Sequence, residues 1–371
     1  MGILETLNKN RQKSNKVYKK ISASTILTNL ILVTIIFFVL NALINFEVLN
    51  RYYSTIMVLV LIAIIMSTSL NIATGFLGQL VLGHAGFMAI GAYTAALLGI
   101  YLNDTLVDGF LFFSRDLTIF LVAASAAMVT ASIAGVLVGT PALRLRGDYL
   151  GIMTLGFGEI VRIIFTNIEI TNGAQGLTGI PRIMTFPIAF WTTTIIVLII
   201  YLFMNSRHGR AILSIREDEI ASESVGINIT KYKIMGFVLA SAFGGVGGAV
   251  FAFQGGFLAP ISFGFIKSVE IFVIVVLGGM GSISGAIIAA IFLTFLPEVL
   301  RDFEQYRLLL YSGLLVVTML FRPQGLMGTN ELEPKRYIKN IFRMFIKIKN
   351  LTVKLFSKVK NKLFNSKGSG E

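Results

Sequence analysis

Few residues in this chain combine the types and spacing that chemistry needs. Glu159 and Arg162 stand three apart within an otherwise apolar run, a spacing that places both on one face of a helix. They read either as the lining of a polar route or as an ion pair between packed helices. His84, in Gly83-His84-Ala85-Gly86, is another ionisable group within an apolar stretch. A charge at the centre of a bilayer costs about 2.5–3.5 kcal/mol or more, so such positions need a reason. Lys267 and Glu270 repeat the three-residue spacing at the start of a further apolar run, where snorkelling to an outer interface accounts for them. No nucleophile, base and orienting group come together, which argues against an enzyme. The 371 residues contain no cysteine and two histidines, which excludes thiolate metal sites and cysteine nucleophiles. The sequence has no Gly-x-x-x-x-Gly-Lys-Ser/Thr loop and no Gly-x-Gly-x-x-Gly after a strand, so no cofactor is expected on this chain. If ATP is used, another chain binds it.

The elements that position these residues follow from composition. Hydrophobic residues make up 55% of the chain, charged residues 14%, and mean hydropathy is +0.80. A soluble domain carries about 25% charged residues, so the chain reads as an all-α polytopic membrane protein. A spanning helix needs about 20 apolar residues. The candidate spans are 26–46, 52–73, 80–102, 117–139, 149–166, 188–204, 234–257, 268–282, 283–297 and 306–321, about ten transmembrane or re-entrant helices. The pair 268–297, joined by Gly-Gly-Met-Gly-Ser, reads as two short helices or as one long broken helix. Glycines one turn apart, Gly135/Gly139, Gly244/Gly248 and Gly281/Gly285, allow helices to approach closely.

The net charge of +13 is concentrated at the ends, with six basic residues in 1–20 and eleven from Glu331 onward. Basic flanks stay on the cytoplasmic side and are drawn to anionic lipid, so both termini are placed in the cytoplasm and nucleic acid is not the expected partner. Ten crossings satisfy this, or eight if the 268–297 pair re-enters. Alternation then puts Arg144, Arg146 and the 205–233 loop inside and the acidic 103–116 loop outside, with Arg51, Lys267 and Arg301 as isolated exceptions. The N-terminal stretch has no small-residue cleavage site and is expected to remain in the mature protein. Three regions result: a basic arm 1–22, a membrane domain 23–327, and a basic tail 328–371. In the tail, Ile338, Phe342, Phe345, Ile348, Leu351, Leu355, Val359 and Leu363 recur every three or four residues. That pattern suits an amphipathic interfacial helix, with an unstructured basic tail as the alternative.

The 205–233 loop reads as a helix between Gly209 and Gly226. Ala211, Ile215, Ala221, Ser222 and Val225 fall on one face, and Asp218 intrudes. It is either a segment that docks into a partner's groove or a solvated loop helix.

Several blocks together resemble the permease subunits of branched-chain amino acid ABC importers. They are Gly75-Phe-Leu-Gly-Gln-Leu-Val-Leu-Gly-His84-Ala-Gly-Phe87, Arg144-Leu-Arg-Gly-Asp148 through Glu159-Ile-Val-Arg162, the Gly209–Gly226 loop, Val276-Leu-Gly-Gly-Met-Gly-Ser-Ile-Ser-Gly285, and Phe321-Arg-Pro-Gln-Gly-Leu326. They run in family order from about residue 55 to 327, and within the family the chain is similar to the second, M-type permease. The resemblance implies a second permease subunit, two cytosolic ATPases that use the ATP, and an extracytoplasmic binding protein. It also implies that the loop couples to an ATPase through Gly209, Arg210, Ile215, Arg216, Glu219, Ala221, Ser222 and Gly226. Counted back from Gly226, the general importer pattern Glu-Ala-Ala-x-x-x-Gly meets Ile220, Ala221 and Ser222, so its glutamate is missing and Glu219 lies one place away. His84, Glu159 and Arg162 are the candidate lining of the translocation pathway, and Thr171–Gly179 is a candidate contact for the binding protein. The expected cargo is leucine, isoleucine or valine. A urea or short-chain amide importer, or an ion-coupled secondary transporter, is the alternative.

Overall fold

The computed structural model describes residues 23–105, 114–142, 148–300, 312–313, 316, 320 and 325–328. The chain divides into two compact units, Met1–Ile36 with Leu332–Glu371, and Phe37–Glu331. Helix α1 (Ala23–Asn45) begins in the first unit, where Leu27, Ile31 and Ile35 are exposed apolar residues. The remaining helices belong to the second unit: α2 (Arg51–Asn71), α3 (His84–Thr105), α4 (Arg115–Ala142), α5 (Asp148–Asn167), α6 (Phe186–Met204), α7 (Arg207–Glu217), α8 (Glu219–Ser224), α9 (Ile229–Gly255), α10 (Phe265–Gly278) and α11 (Ile283–Val299).

A backbone in hydrocarbon must satisfy its own polar groups, so apolar runs of this length form helices. Among the described residues, eight helices are long and apolar enough to cross a membrane, and α11 is a shorter apolar helix. The same residues contain no strand, only an isolated antiparallel bridge between Leu177 and Leu258. The chain is therefore an all-α, multi-pass membrane protein. Most of the predicted segment 306–321, Arg144 and Arg146, both basic termini and most of the acidic 103–116 loop lie outside the described residues.

The centre of the bundle is α2, α3 and α9. Burial covers 83%, 61% and 72% of their most apolar windows, against 28% for α4 and α5, so the last two form the periphery. Helix α9 packs chiefly on α3 and α4, α2 on α9, α11 and α6, and α5 on α3. Glycine makes this closeness possible. Gly244 faces the His84 ring, Gly245 faces Ala127 and Ala131, and a Cβ on Gly248 would sit 2.0 Å from the Met88 carbonyl oxygen. On α4, Gly135 and Gly139 face Ser241 and Phe237 of α9. Two of the three expected glycine pairs thus mark helix crossings. The third does not act as a pair: Gly281 precedes α11, and Gly285 packs against Gly278.

Two breaks differ from expectation. Helix α2 continues past Asn71 as a π turn, Ile72–Phe76, and α3 starts only at His84, four residues later than the apolar run suggests. The unwound stretch between them is covered by α5: Thr154 Oγ1 accepts from the Leu82 N–H at 3.1 Å, and Gly83 lies against the Thr154 carbonyl. Unwound backbone at this depth is tolerated because protein covers it. The 268–297 pair resolves into two separate helices, joined at Gly279 (φ +109) and Gly281 (φ +88), where a side chain would be strained. The last carbonyls of α10 are not orphaned. Leu277 O accepts from the Leu326 N–H at 2.7 Å and Gly278 O from the Met327 N–H at 3.2 Å, which gives Leu326 and Met327 a capping role. Helix α11 then runs back along α2, from the contact of Asn71 with Ser282 to the hydrogen bond of Tyr52 with Glu298 at the other end. With 17 residues it is shorter than the eight helices above.

Candidate functional site

The 205–233 segment is not one helix. Ser206 caps α7, its Oγ accepting from His208 N and Gly209 N at 3.1 and 3.3 Å. Gly209 must be glycine, because a Cβ there would lie 2.2 Å from the Met204 carbonyl oxygen as α7 folds back on the end of α6. Asp218 then breaks the helix: its backbone is extended and its carboxylate accepts from Ile220 N and Ala221 N at 2.9 and 3.0 Å, starting α8. The residue that intruded on the expected face is therefore a helix cap. Helix α8 ends with Gly226 N–H on Glu223 O and Ile227 N–H on Ser222 O, with Gly226 left-handed at φ +85. This is a Schellman termination.

The break changes which residues face outward. Gly209, Ile212 and Ile215 are buried, and Ser222 is 4% exposed, so the inner side of α7–α8 is closed. Glu219 reaches inward, pairing with the nearly buried Lys233 of α9 at 2.5 Å. The outer side carries Ile220 at 82% and Val225 at 76% exposure, with Arg210, Ala221 and Gly226 also exposed. Val225, expected on the docking face together with Ile215 and Ser222, lies on the opposite side from both. A helical wheel drawn through Asp218 cannot show this. Arg216 turns inward, and its Nη1 donates to the Gly75 carbonyl of the π turn at 2.7 Å.

The intramembrane polar residues form separate clusters. Arg162 Nε donates to Glu159 Oε2 at 2.7 Å, with both side chains about a third exposed. The other carboxylate oxygen accepts from the Phe265 N–H at 2.9 Å, at the N-terminus of α10. A carboxylate there satisfies an orphan donor and complements the helix dipole. His84 is buried, its Nε2 2.9 Å from Ser69 Oγ, among α2, Gly244 and Phe87. The structure brings Glu159 and Arg162 together and holds His84 in a different cluster. Lys267 and Glu270 pair with each other at 3.0 Å on an exposed turn of α10.

Sequence reasoning missed Asn71. It is fully buried, accepts from the Gly281 N–H at 2.9 Å through Oδ1 and donates to the Ser282 carbonyl at 3.0 Å through Nδ2. One amide thus clasps the turn between α10 and α11. An amide within an apolar run, four residues before Gly75, was the available signal. The 171–179 loop is also tied down: Leu177 and Leu258 exchange both backbone hydrogen bonds, at 2.8 and 3.0 Å, and Thr171 is buried. Among the described residues no group of His, Asp and Glu is placed to hold a metal ion.

Comparison with known proteins adds to this geometry. The family model for the branched-chain amino acid transport system permease component matches residues 52–321. The chain is 40% identical over 317 residues to the high-affinity branched-chain amino acid transport system permease protein LivM of Escherichia coli, covering 76% of this chain and 71% of that one. It is 41% identical over 302 residues to LivM of Salmonella typhimurium, covering 72% and 68%. The permease protein LivH of Escherichia coli is 29% identical over 155 residues, 41% of this chain and 50% of LivH. No solved structure matches significantly.

Proposed function

The chain belongs to the branched-chain amino acid transport permease family, and from that premise we propose that it forms half of the translocation pathway of an ATP-driven importer for leucine, isoleucine and valine. The other half is a second permease, a role that the LivH similarity supports. Two cytosolic ATPases and an extracytoplasmic binding protein complete the assembly. The chain itself is not catalytic: it binds no ATP and makes or breaks no bond in the cargo.

The observation that carries this reading is the two-sided α7–α8 element. Its inner side is fixed to the ends of α6, α9 and the π turn, while its outer side presents Ile220 and Val225 to whatever lies beyond the membrane domain. With both basic termini in the cytoplasm, that outer side faces the cytosol. An ATPase seated there moves the element as nucleotide binds and is hydrolysed, and the spans respond as rigid pieces about their glycine crossings. The opening alternates between the two sides. Glu159 and Arg162 supply polar lining in a pathway that is otherwise apolar, suited to a zwitterion with an aliphatic side chain. The tethered 171–179 loop, at the other end of α5, is the contact offered to the binding protein.

The test is retention of the ATPases by the purified permease pair. Burying an isoleucine is worth about 1.5–3 kcal/mol, and each 1.4 kcal/mol is tenfold in affinity. Ile220→Asp is expected to weaken ATPase retention at least tenfold with an unchanged yield of permease. Retention equal to the parent would remove the docking role. Uptake by the permeases alone, in ATP-free vesicles under an ion gradient, would remove the importer reading altogether.

A further inference from the structure

Arg216 belongs to the loop that the family resemblance assigns to ATPase coupling, yet its guanidinium points away from any cytosolic partner. It donates to Gly75 O at 2.7 Å, its Cγ would lie 3.1 Å from a Cβ on Gly78, and its Nη1 would lie 2.5 Å from a Cβ on Gly281. Gly75 belongs to the π turn that ends α2, Gly78 follows it, and Gly281 lies in the turn between α10 and α11. These two turns are themselves joined. A Cβ on Gly75 would lie 2.3 Å from the Gly281 nitrogen, and Asn71 holds both the Gly281 N–H and the Ser282 carbonyl. One guanidinium therefore sits where the most buried spanning helix meets the broken helix pair.

We infer that Arg216 is the positioning residue through which motion of α7 reaches the α2 and α10–α11 junction, so that it couples ATP hydrolysis to gating without touching ATPase or cargo. This rests on the reading that α7–α8 seats an ATPase. The chemistry fits arginine specifically. The π turn leaves a backbone carbonyl that needs a donor at the end of a long side chain, and three glycines leave a slot thin enough for a planar group. Lysine offers a point charge in place of the flat fork. The contact is rigid on the far side, because Asn71 and the two bonds from Leu326 and Met327 fix the turn that Arg216 abuts. Displacing α7 thus displaces two structural units through one residue.

The experiment uses the full transporter in proteoliposomes, with Arg216→Lys and Arg216→Ala compared with the parent and with Ile220→Asp. Uptake per ATP hydrolysed, ATPase retention and folded yield are measured together. Because the chain has no cysteine, Met280→Cys within the turn carries an environment-sensitive fluorophore that reports its ATP-dependent movement. The expected result is full ATPase retention in Arg216→Lys, uptake per ATP lowered at least fivefold, and loss of the Met280→Cys signal. Arg216→Ala, where it assembles, should lower the ratio at least tenfold. Parental coupling and a parental signal in Arg216→Lys overturn the inference, whatever Arg216→Ala does. If Ile220→Asp keeps its ATPase, the docking reading fails, and that outcome is separate because it is read from retention rather than from the ratio.

Discussion

Removing the Glu159 carboxylate separates two contacts that the sequence alone would merge into one ion pair. Glu159 Oε2 takes the Arg162 Nε–H at 2.7 Å, and Oε1 takes the Phe265 N–H at 2.9 Å. Exposed pairs are worth up to about 1 kcal/mol, and breaking a buried one costs about 3–5 kcal/mol. With both side chains about a third exposed, the ion pair should lie between, at about 2 kcal/mol after screening. The bond to Phe265 N–H is a helix cap, typically about 1 kcal/mol. Glu159→Gln keeps an amide oxygen for Phe265 and loses only the charge, so about 2 kcal/mol is expected. Glu159→Ala loses both, about 3 kcal/mol. Unfolding by SDS in mixed micelles, followed by the fluorescence of the single tryptophan, Trp191, measures both. A double-mutant cycle of Glu159→Gln with Arg162→Gln should give a coupling above about 1 kcal/mol, whereas ordinary hydrogen bonds between membrane helices average about 0.6 kcal/mol. Equal costs for Gln and Ala would refute the cap on α10, and a coupling of about 0.6 kcal/mol or less would refute the ion pair.

Other perturbations test the packing that positions the site. Asn71→Leu leaves the Gly281 N–H and the Ser282 carbonyl without their amide partner at a fully buried position. At about 1–3 kcal/mol for each unsatisfied group, the cost is about 2–6 kcal/mol, visible as a lower SDS midpoint and a reduced monodisperse yield. Gly248→Ala places a methyl 2.0 Å from the Met88 carbonyl oxygen, where only backbone movement gives relief, and should sharply reduce folded protein. Gly226→Ala is the contrast, since nothing lies near its Cβ. There the left-handed φ of +85 alone should cost about 1–2 kcal/mol and leave yield largely intact.

How far the sequence revealed this molecule depends on which group does the bonding. Long apolar runs form helices in a bilayer, so nine of the ten expected segments were legible to within about five residues, the tenth, 306–321, lying almost wholly outside the described residues, and the Gly-Gly-Met-Gly-Ser break marked the turn between α10 and α11. The Glu159–Arg162 pair was legible too, because both partners are side chains at helical spacing. Asp218 was misread because a helical wheel assumes continuity, while an aspartate can end one helix and cap the next. The deeper contacts involve backbone atoms. Glu159 finds the Phe265 N–H, Leu326 and Met327 find the ends of α10, and Arg216 finds a carbonyl 141 residues away. Backbone partners carry no residue type, so their only trace in sequence is the glycine that lets something approach them. Gly75, Gly83, Gly281 and Gly325 all serve that purpose, each from a different point in the motif blocks, and each lies against the backbone of another block or of α5. The blocks look like independent signatures along the chain. In the fold, four of the five supply faces of the contacts at the ends of α2 and α10, and the remaining one, on α5, covers the unwound stretch beside them. A substitution that spares every charged residue but adds a methyl at Gly75, Gly281 or Gly325 therefore acts on the same junction as the loss of Arg216.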